Sequence, residues 1–419
     1  VRLKNILLIP FVIISPIALG QSNLEYKVKE LSDQHQFVKM DSLNSKIKGQ
    51  NYYYYKGLYA NVCNDPKLSN EYLDSLKNNP IVDSYEFIRL KNDNYIKSFN
   101  YELAYSTSKT LSTKFKKKYS KSELNNEINA QRIWELLRAK PAQYIDDFSN
   151  IILATKKDIA GLITTTVTAN GVSSDFVFDT GAGISCISES IAIKMGVTLL
   201  PDNNITIRSF TGETNKVRIG FASKLQIGEL VVHNAVFLVF PDAAFTFANG
   251  AYFINGIIGF PIAKELGTIT IEKDKIVLAK NINNEPNEKN FFVDQLRAIV
   301  MLKFQDKTFP YNFDSGANTS NFNKSFYVAY KMHVDKLGIE EKSTAPGAGG
   351  KEITTKVVVL KDQTIEIATT PIKLEKMEID KKSYGIYGEV NYGNIGQDII
   401  GPFKKVIISF DKNYLKLEN

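Results

Sequence analysis

The sequence predicts a mainly β chain built from two matching halves, preceded by an α-helical N-terminal domain. Three observations predict it. Phe176-Val177-Phe178 and Tyr311-Asn312-Phe313 run directly into Asp179-Thr180-Gly181-Ala182 and Asp314-Ser315-Gly316-Ala317. Gly256-Ile257-Ile258-Gly259 and Gly393-Asn394-Ile395-Gly396 then follow in the same order. The Asp tetrads are offset by 135 residues and the Gly elements by 137, an offset that also carries Asp274-Lys275 onto Asp411-Lys412. Finally, apolar spacing changes from three and four to alternation near residue 150. Average composition yields such an Asp-(Thr/Ser)-Gly-Ala tetrad by chance only on the order of 0.01–0.02 times in a chain this long.

A length of 419 residues accommodates two or three domains and a sizeable core. With 43% hydrophobic and 23% charged residues, the composition is that of a globular protein. The net charge of +7 is mild for this length and does not point to nucleic acid. Cys63 and Cys186 fall in different predicted domains, so a disulfide between them is not expected. Cys186 reads as a small buried residue rather than a reactive thiol. His35, His233 and His333 are isolated and have neither metal-type spacing nor an evident serine partner, so no metal site is expected.

Residues 1–20 read as a secretory signal peptide. Arg2 and Lys4 precede an apolar run from Ile6 to Ile14, and Ala18-Leu19-Gly20 places small residues at a cleavage site after Gly20. The run is too short, and too interrupted by Pro10 and Pro16, for a membrane span. The mature chain is therefore expected to be exported, with no stable membrane span. Residues 21–150 read as the helical domain. Asn64-Asp65-Pro66 is a helix start and Asn78-Asn79-Pro80 a stop; Ser122-Glu123-Leu124 opens a helix through Ile133, Trp134 and Leu137. Its helical hairpins loosely resemble tetratricopeptide-type repeats, without a clear period. Lys114 to Lys118 read as a solvated helix face. A protein partner for this domain is one use of it; a plain structural cap is another.

The first β half spans residues 151–280. Asn170-Gly171 is a hairpin turn, and the return strand delivers Asp179. A short helix follows from Ser188 to Met195, with Ser188 as N-cap and Gly196 as C-cap. Strands are expected at 205–210, 216–227 and 231–240, then a helix at 261–266 and a closing hairpin turned by Lys273-Asp274-Lys275. Residues 281–290 form a polar linker, and residues 291–419 repeat the scheme. In that second half a strand enters Asp314, a helix is expected around Phe322–Lys331, and Gly347-Ala348-Gly349-Gly350 turns between strands. A closing hairpin is turned by Asp411-Lys412-Asn413.

On these motifs, residues from about 155 to 419 resemble an aspartic protease of the retropepsin/pepsin clan, closer to the compact bacterial retropepsin-like branch, with both lobes in one chain. The resemblance implies duplicated acid-protease β-barrel lobes and hydrolysis of peptide bonds by a water set between Asp179 and Asp314. It requires no cofactor and implies a peptide or protein substrate. Two abutting carboxylates cannot both ionise cheaply, so they share one proton; aspartic proteases are the standard example of this, and the pair titrates as a unit. The resemblance makes Thr180 and Ser315 an inter-lobe grip. Gly181 and Gly316 allow close passage of the partner loop. Thr211 and Gly212 in one half, and Gly349 and Gly350 in the other, stand where the clan carries substrate-covering flaps. Asn394 departs from the clan, which has an apolar residue there. The alternative reading is a catalytically silent peptide-binding module on the same fold, with a partner-recruiting helical domain.

Overall fold

In a computed structural model, the structure describes residues 16–201, 204–208, 214–280, 288–346, 352–382 and 390–419. Helices occupy the N-terminal third: α1 (Pro16–Asp33), α2 (Phe37–Asn44), α3 (Asn51–Val62), α4 (Pro66–Asp74), α5 (Tyr85–Lys97), α6 (Tyr101–Lys114) and α7 (Lys121–Leu137). Asp65 caps α4 as expected, accepting from the Leu68 amide at 2.9 Å. Two expectations need correction. α4 stops at Asp74, and Asn79 instead caps a short 3₁₀ turn, Pro80–Asp83, by accepting from the Ile81 amide. α7 is capped by Ser120, not Ser122, because only Ser120 lies three residues before Glu123. The Ser120 hydroxyl takes the Glu123 amide while the Glu123 carboxylate takes the Ser120 amide, so two otherwise orphaned donors are satisfied together.

The helices are seated on both β halves. Tyr101, Trp134 and Leu137 pack in one cluster with Leu200, Ile205 and Phe240, and the Tyr101 and Trp134 rings stack at 6.2 Å. Phe37 and Val62 pack against Phe292 and Ile299. Lys97, fully buried, pairs with Asp93 at 2.7 Å and donates to the Val293 carbonyl at 3.2 Å. A buried ammonium persists only when its charge and its donors are all met, so this junction is tightly specified. Among the described residues, no helix is long and apolar enough to cross a membrane. Cys63 and Cys186 are both unbridged.

In the β portion the strand Ile163–Ala169 turns back into Val172–Phe178. The turn residues Asn170 (φ 50°) and Gly171 (φ 79°) are both left-handed, the twist that a two-residue hairpin requires. Val172–Phe178 then pairs in parallel with Gly256–Ile258, matching Val177 to Ile257 and Phe178 to Ile258. The later half runs the same course. Arg297–Phe304 turns back into Lys307–Phe313, which pairs in parallel with Gly393–Ile395, matching Asn312 to Asn394 and Phe313 to Ile395. The closing hairpins are Thr268–Ile271 with Lys275–Ala279 and Lys405–Ser409 with Tyr414–Glu418. Their inner strands pair with each other from Thr268–Ser409 to Ile271–Val406. The second half's hairpin therefore belongs to the first half's sheet, and one apolar core runs from Ile151 to Leu417.

Other boundaries differ for local reasons. The helix after Asp179 is Glu189–Lys194; the Ser188 side chain makes no capping bond, and Asp242 takes the Ser190 amide at 3.0 Å instead. Gly196 (φ 64°) ends that helix as expected. The helix expected at Phe322–Lys331 is a strand, Asn321–Phe322, followed by two helices, Lys324–Ala329 and Lys331–Leu337, the first capped by Asn323. The helix expected at 261–266 is the shorter Phe260–Ala263.

Candidate functional site

The two Asp loops meet and are tied by four crossed hydrogen bonds. The Thr180 amide donates to the Ser315 hydroxyl at 3.0 Å, and the Ser315 amide to the Thr180 hydroxyl at 3.1 Å. The Thr180 hydroxyl donates to the Phe313 carbonyl at 3.1 Å, and the Ser315 hydroxyl to the Phe178 carbonyl at 3.0 Å. Thr180 and Ser315 are wholly buried, so each bond is made away from competing water.

Each aspartate leaves its strand in the same way. The Asp179 amide donates to the Ile258 carbonyl and the Asp314 amide to the Ile395 carbonyl, both at 3.0 Å. The side chains then lie against the opposite loop. A methyl group added at Gly181 would sit 2.4 Å from the Asp314 carboxyl carbon; one at Gly316 would sit 2.3 Å from that of Asp179. Any residue with a Cβ at either position would displace the partner's carboxylate. The expected close approach is therefore real, and the group that needs the space is the opposing acid.

The two carboxyl groups are close neighbours, each lying over the opposite loop's glycine. Withdrawal from water holds Asp179 well above the ordinary carboxylate range and raises Asp314 as well, and the neighbouring Asp314 charge raises Asp179 further. Donors limit the rise. Asp179 Oδ1 accepts from the Gly181 amide at 2.7 Å and the Ala182 amide at 3.2 Å; Asp314 Oδ1 accepts from the Gly316 amide at 3.0 Å. Such a pair can retain one proton while keeping one ionised oxygen, which gives a base and an acid in one place. Among the described residues there is no cluster of His, Cys, Asp or Glu suited to a metal ion. The Cys186 thiol, buried near Asp179, is pushed up by burial and so stays protonated.

Sequence reasoning brought together Asp179, Asp314, Thr180, Ser315, Gly181 and Gly316, and all six converge here. Thr211, Gly212, Gly349 and Gly350 lie outside the described residues, although the strands leading to them are paired, Arg208 with Thr214 and Pro346 with Glu352. Sequence reasoning missed Ser185 and Ser320, whose hydroxyls accept the amides of Gly259 and Gly396 at 3.1 and 2.8 Å. Each lies six residues beyond its aspartate, a repeat that was legible in the sequence. It also missed the buried Gln397, which donates to the Ser315 carbonyl at 2.9 Å, and the contact of the Asn394 amide with Asp314.

Residues 165–255 match the family described as "gag-polyprotein putative aspartyl protease". This is the retropepsin-like type that the sequence resembles. The matched segment includes Asp179, Thr180, Gly181 and Ser185 and stops one residue before Gly256. Asp314 lies outside it, so the second half of the site stands on geometry. No curated protein matches the chain.

Proposed function

We propose that the chain is a single-chain aspartic endopeptidase whose catalytic pair is Asp179 and Asp314. The observation that carries this reading is the mutual seating of the two acids: each carboxyl is held by its own loop amide and lies over the other's glycine, which places the pair to share one proton. A structural ion pair would join opposite charges; two acids forced together carry a standing cost that function explains. In the reaction the ionised carboxylate takes a proton from water as its oxygen attacks the peptide carbonyl carbon. The protonated carboxyl gives its proton to the carbonyl oxygen, forming a tetrahedral diol. Transfer of a proton to the amide nitrogen then releases an amine and a carboxylic acid as the C–N bond breaks.

The two halves are, on this reading, copies of one lobe. Parallel pairing of each Asp strand with its Gly element, the seryl support of each Gly, and the matching bonds from Phe260 to Ala182 and from Gln397 to Ala317 (both 2.8 Å) support the duplication. Export is part of the proposal and is supported by the basic and apolar residues of the first 20 positions. Amino-terminal sequencing of the mature chain should begin at Gln21; an intact terminus in exported protein would refute cleavage there.

The test of catalysis is direct. The chain is incubated with an unfolded protein substrate from pH 3 to 8, beside Asp179→Asn and Asp314→Asn. Either substitution should reduce cleavage by on the order of 10³-fold or more, with the fold retained. Equal cleavage by both variants would remove the dyad from the mechanism; a folded wild type that binds peptide but never cuts would favour the silent binding module.

A further inference from the structure

We propose that Asn394 is a positioning residue that makes the two carboxyls inequivalent, keeping the shared proton on Asp179 and the charge on Asp314. The inference rests on the endopeptidase reading and assigns the acid and the base within it.

Ile257 lies opposite Val177 and Asn394 opposite Asn312, each two residues before its aspartate. Each aspartate amide then bonds to the carbonyl of the residue after that position, Ile258 or Ile395. Positions 257 and 394 thus occupy the same place beside the two acids, and only one carries a donor. Asn394 is held from both sides, paired with Asn312 on one strand and Asn321 on the other, so its side-chain direction is set by the sheet.

The Asn394 amide nitrogen lies 3.4 Å from Asp314 Oδ2. Asp314 Oδ1 already accepts from Gly316, so both oxygens of Asp314 have donors. On Asp179 the donors Gly181 and Ala182 both reach Oδ1. Among the described residues the second oxygen of Asp179 has no comparable amide, which leaves it as the place for a proton. An ionised carboxylate can only accept; a protonated one must also donate. The arrangement therefore favours charge on Asp314 and the proton on Asp179. The titration directions agree: the Asn394 contact lowers Asp314 against its burial, whereas Asp314 raises Asp179.

Among the main influences on Asp314 the titratable side chain is Asp179, and Cys186, beside Asp179, remains a neutral thiol. Asn394 does not titrate, so the bias is constant across the pH interval in which the pair holds one proton. In the reaction Asp314 takes the proton from water and Asp179 gives its own to the carbonyl oxygen.

The test uses the full chain, Asn394→Ile, and the exchange variant Ile257→Asn/Asn394→Ile. The first reading is the pH profile of kcat/KM on one peptide. Without the amide the charged form of Asp314 is less favoured, so the single variant should lose about 3- to 10-fold at the acid end while its neutral-side limb stays in place. The exchange variant should recover the acid end, with the donor now beside Asp179. The second reading needs no activity: carbon-13 NMR of labelled aspartate carboxyls, assigned with the two Asp→Asn variants. Between the two titration steps the wild type should show Asp314 ionised and Asp179 protonated, and the exchange variant the reverse. An unmoved acid limb in a folded Asn394→Ile protein, or an ionised Asp179 in the wild type, would overturn the proposal. If the wild type cleaves nothing, the endopeptidase reading falls while the NMR of the wild type still decides the role of Asn394.

Discussion

Ser315→Ala should be among the most damaging small substitutions in this protein. The hydroxyl it removes accepts from the Thr180 amide and donates to the Phe178 carbonyl, both inside a fully buried junction. Alanine leaves both groups without a partner, at about 1–3 kcal/mol for each stranded group. Thr180→Val keeps the side-chain volume but strands the Ser315 amide and the Phe313 carbonyl in the same way. Urea unfolding should show each single variant markedly weakened. The double variant should lose less than the sum, because the four bonds form one network. Ser315→Thr, which copies the other half, should be tolerated. Thr166→Val sets the scale, since its exposed bond to Asp175 should contribute little. A Ser315→Ala protein as stable as the Thr166 variant would mean the grip does not hold the halves together.

The acids themselves should have the opposite effect on stability. Both are raised in the folded state, chiefly by burial. A raised carboxyl contributes stability that is fully present below its unfolded value, about 3.9, and is lost as pH rises through the folded value. Near neutral pH the folded chain therefore bears the cost of ionising a crowded pair. Asp179→Asn and Asp314→Asn remove that cost while keeping an oxygen for the loop amides. Both variants should melt above the wild type at pH 7, by about 1 °C for each kcal/mol recovered in a chain this long. The difference should shrink as pH falls toward 4. A variant that melts below the wild type at pH 7 would show that the pair is not under charge strain.

Much of this arrangement was legible because it rests on short, locally specified signals. The Asp179 and Asp314 tetrads and the hairpin turn at Asn170-Gly171 each combine a fixed backbone geometry with few tolerated residues. The Asp65 cap was legible for the same reason. Ser122 resembles the start of α7, but only Ser120 has a glutamate three residues on to close the capping box. The split helix after Phe322 was hidden because Phe322 to Val328 is apolar enough for either period; its partner at Gly393 lies far along the chain. The long strands Ile339–Pro346, Glu352–Ile367 and Thr370–Ile379 are lysine- and glutamate-rich, and pairing with each other rather than local pattern defines them. The Asn394 contact was not legible at all, since which atom of Asp314 it meets depends on the strand register.

The pairing of Thr268–Ile271 with Lys405–Ser409 also bears on time. Thr268 meets Ser409 at a sequence separation of 141, and Thr180 meets Ser315 at one of 135. Contacts of such sequence separation carry the loop-closure entropy of everything between them and form late in folding. As the ribosome releases this chain, Asp179 emerges long before Asp314, and the strand that closes the shared sheet emerges later still. A half-made chain holds one acid and no grip. The topology thus acts as a clock that withholds the paired acids until nearly all of the polypeptide is present.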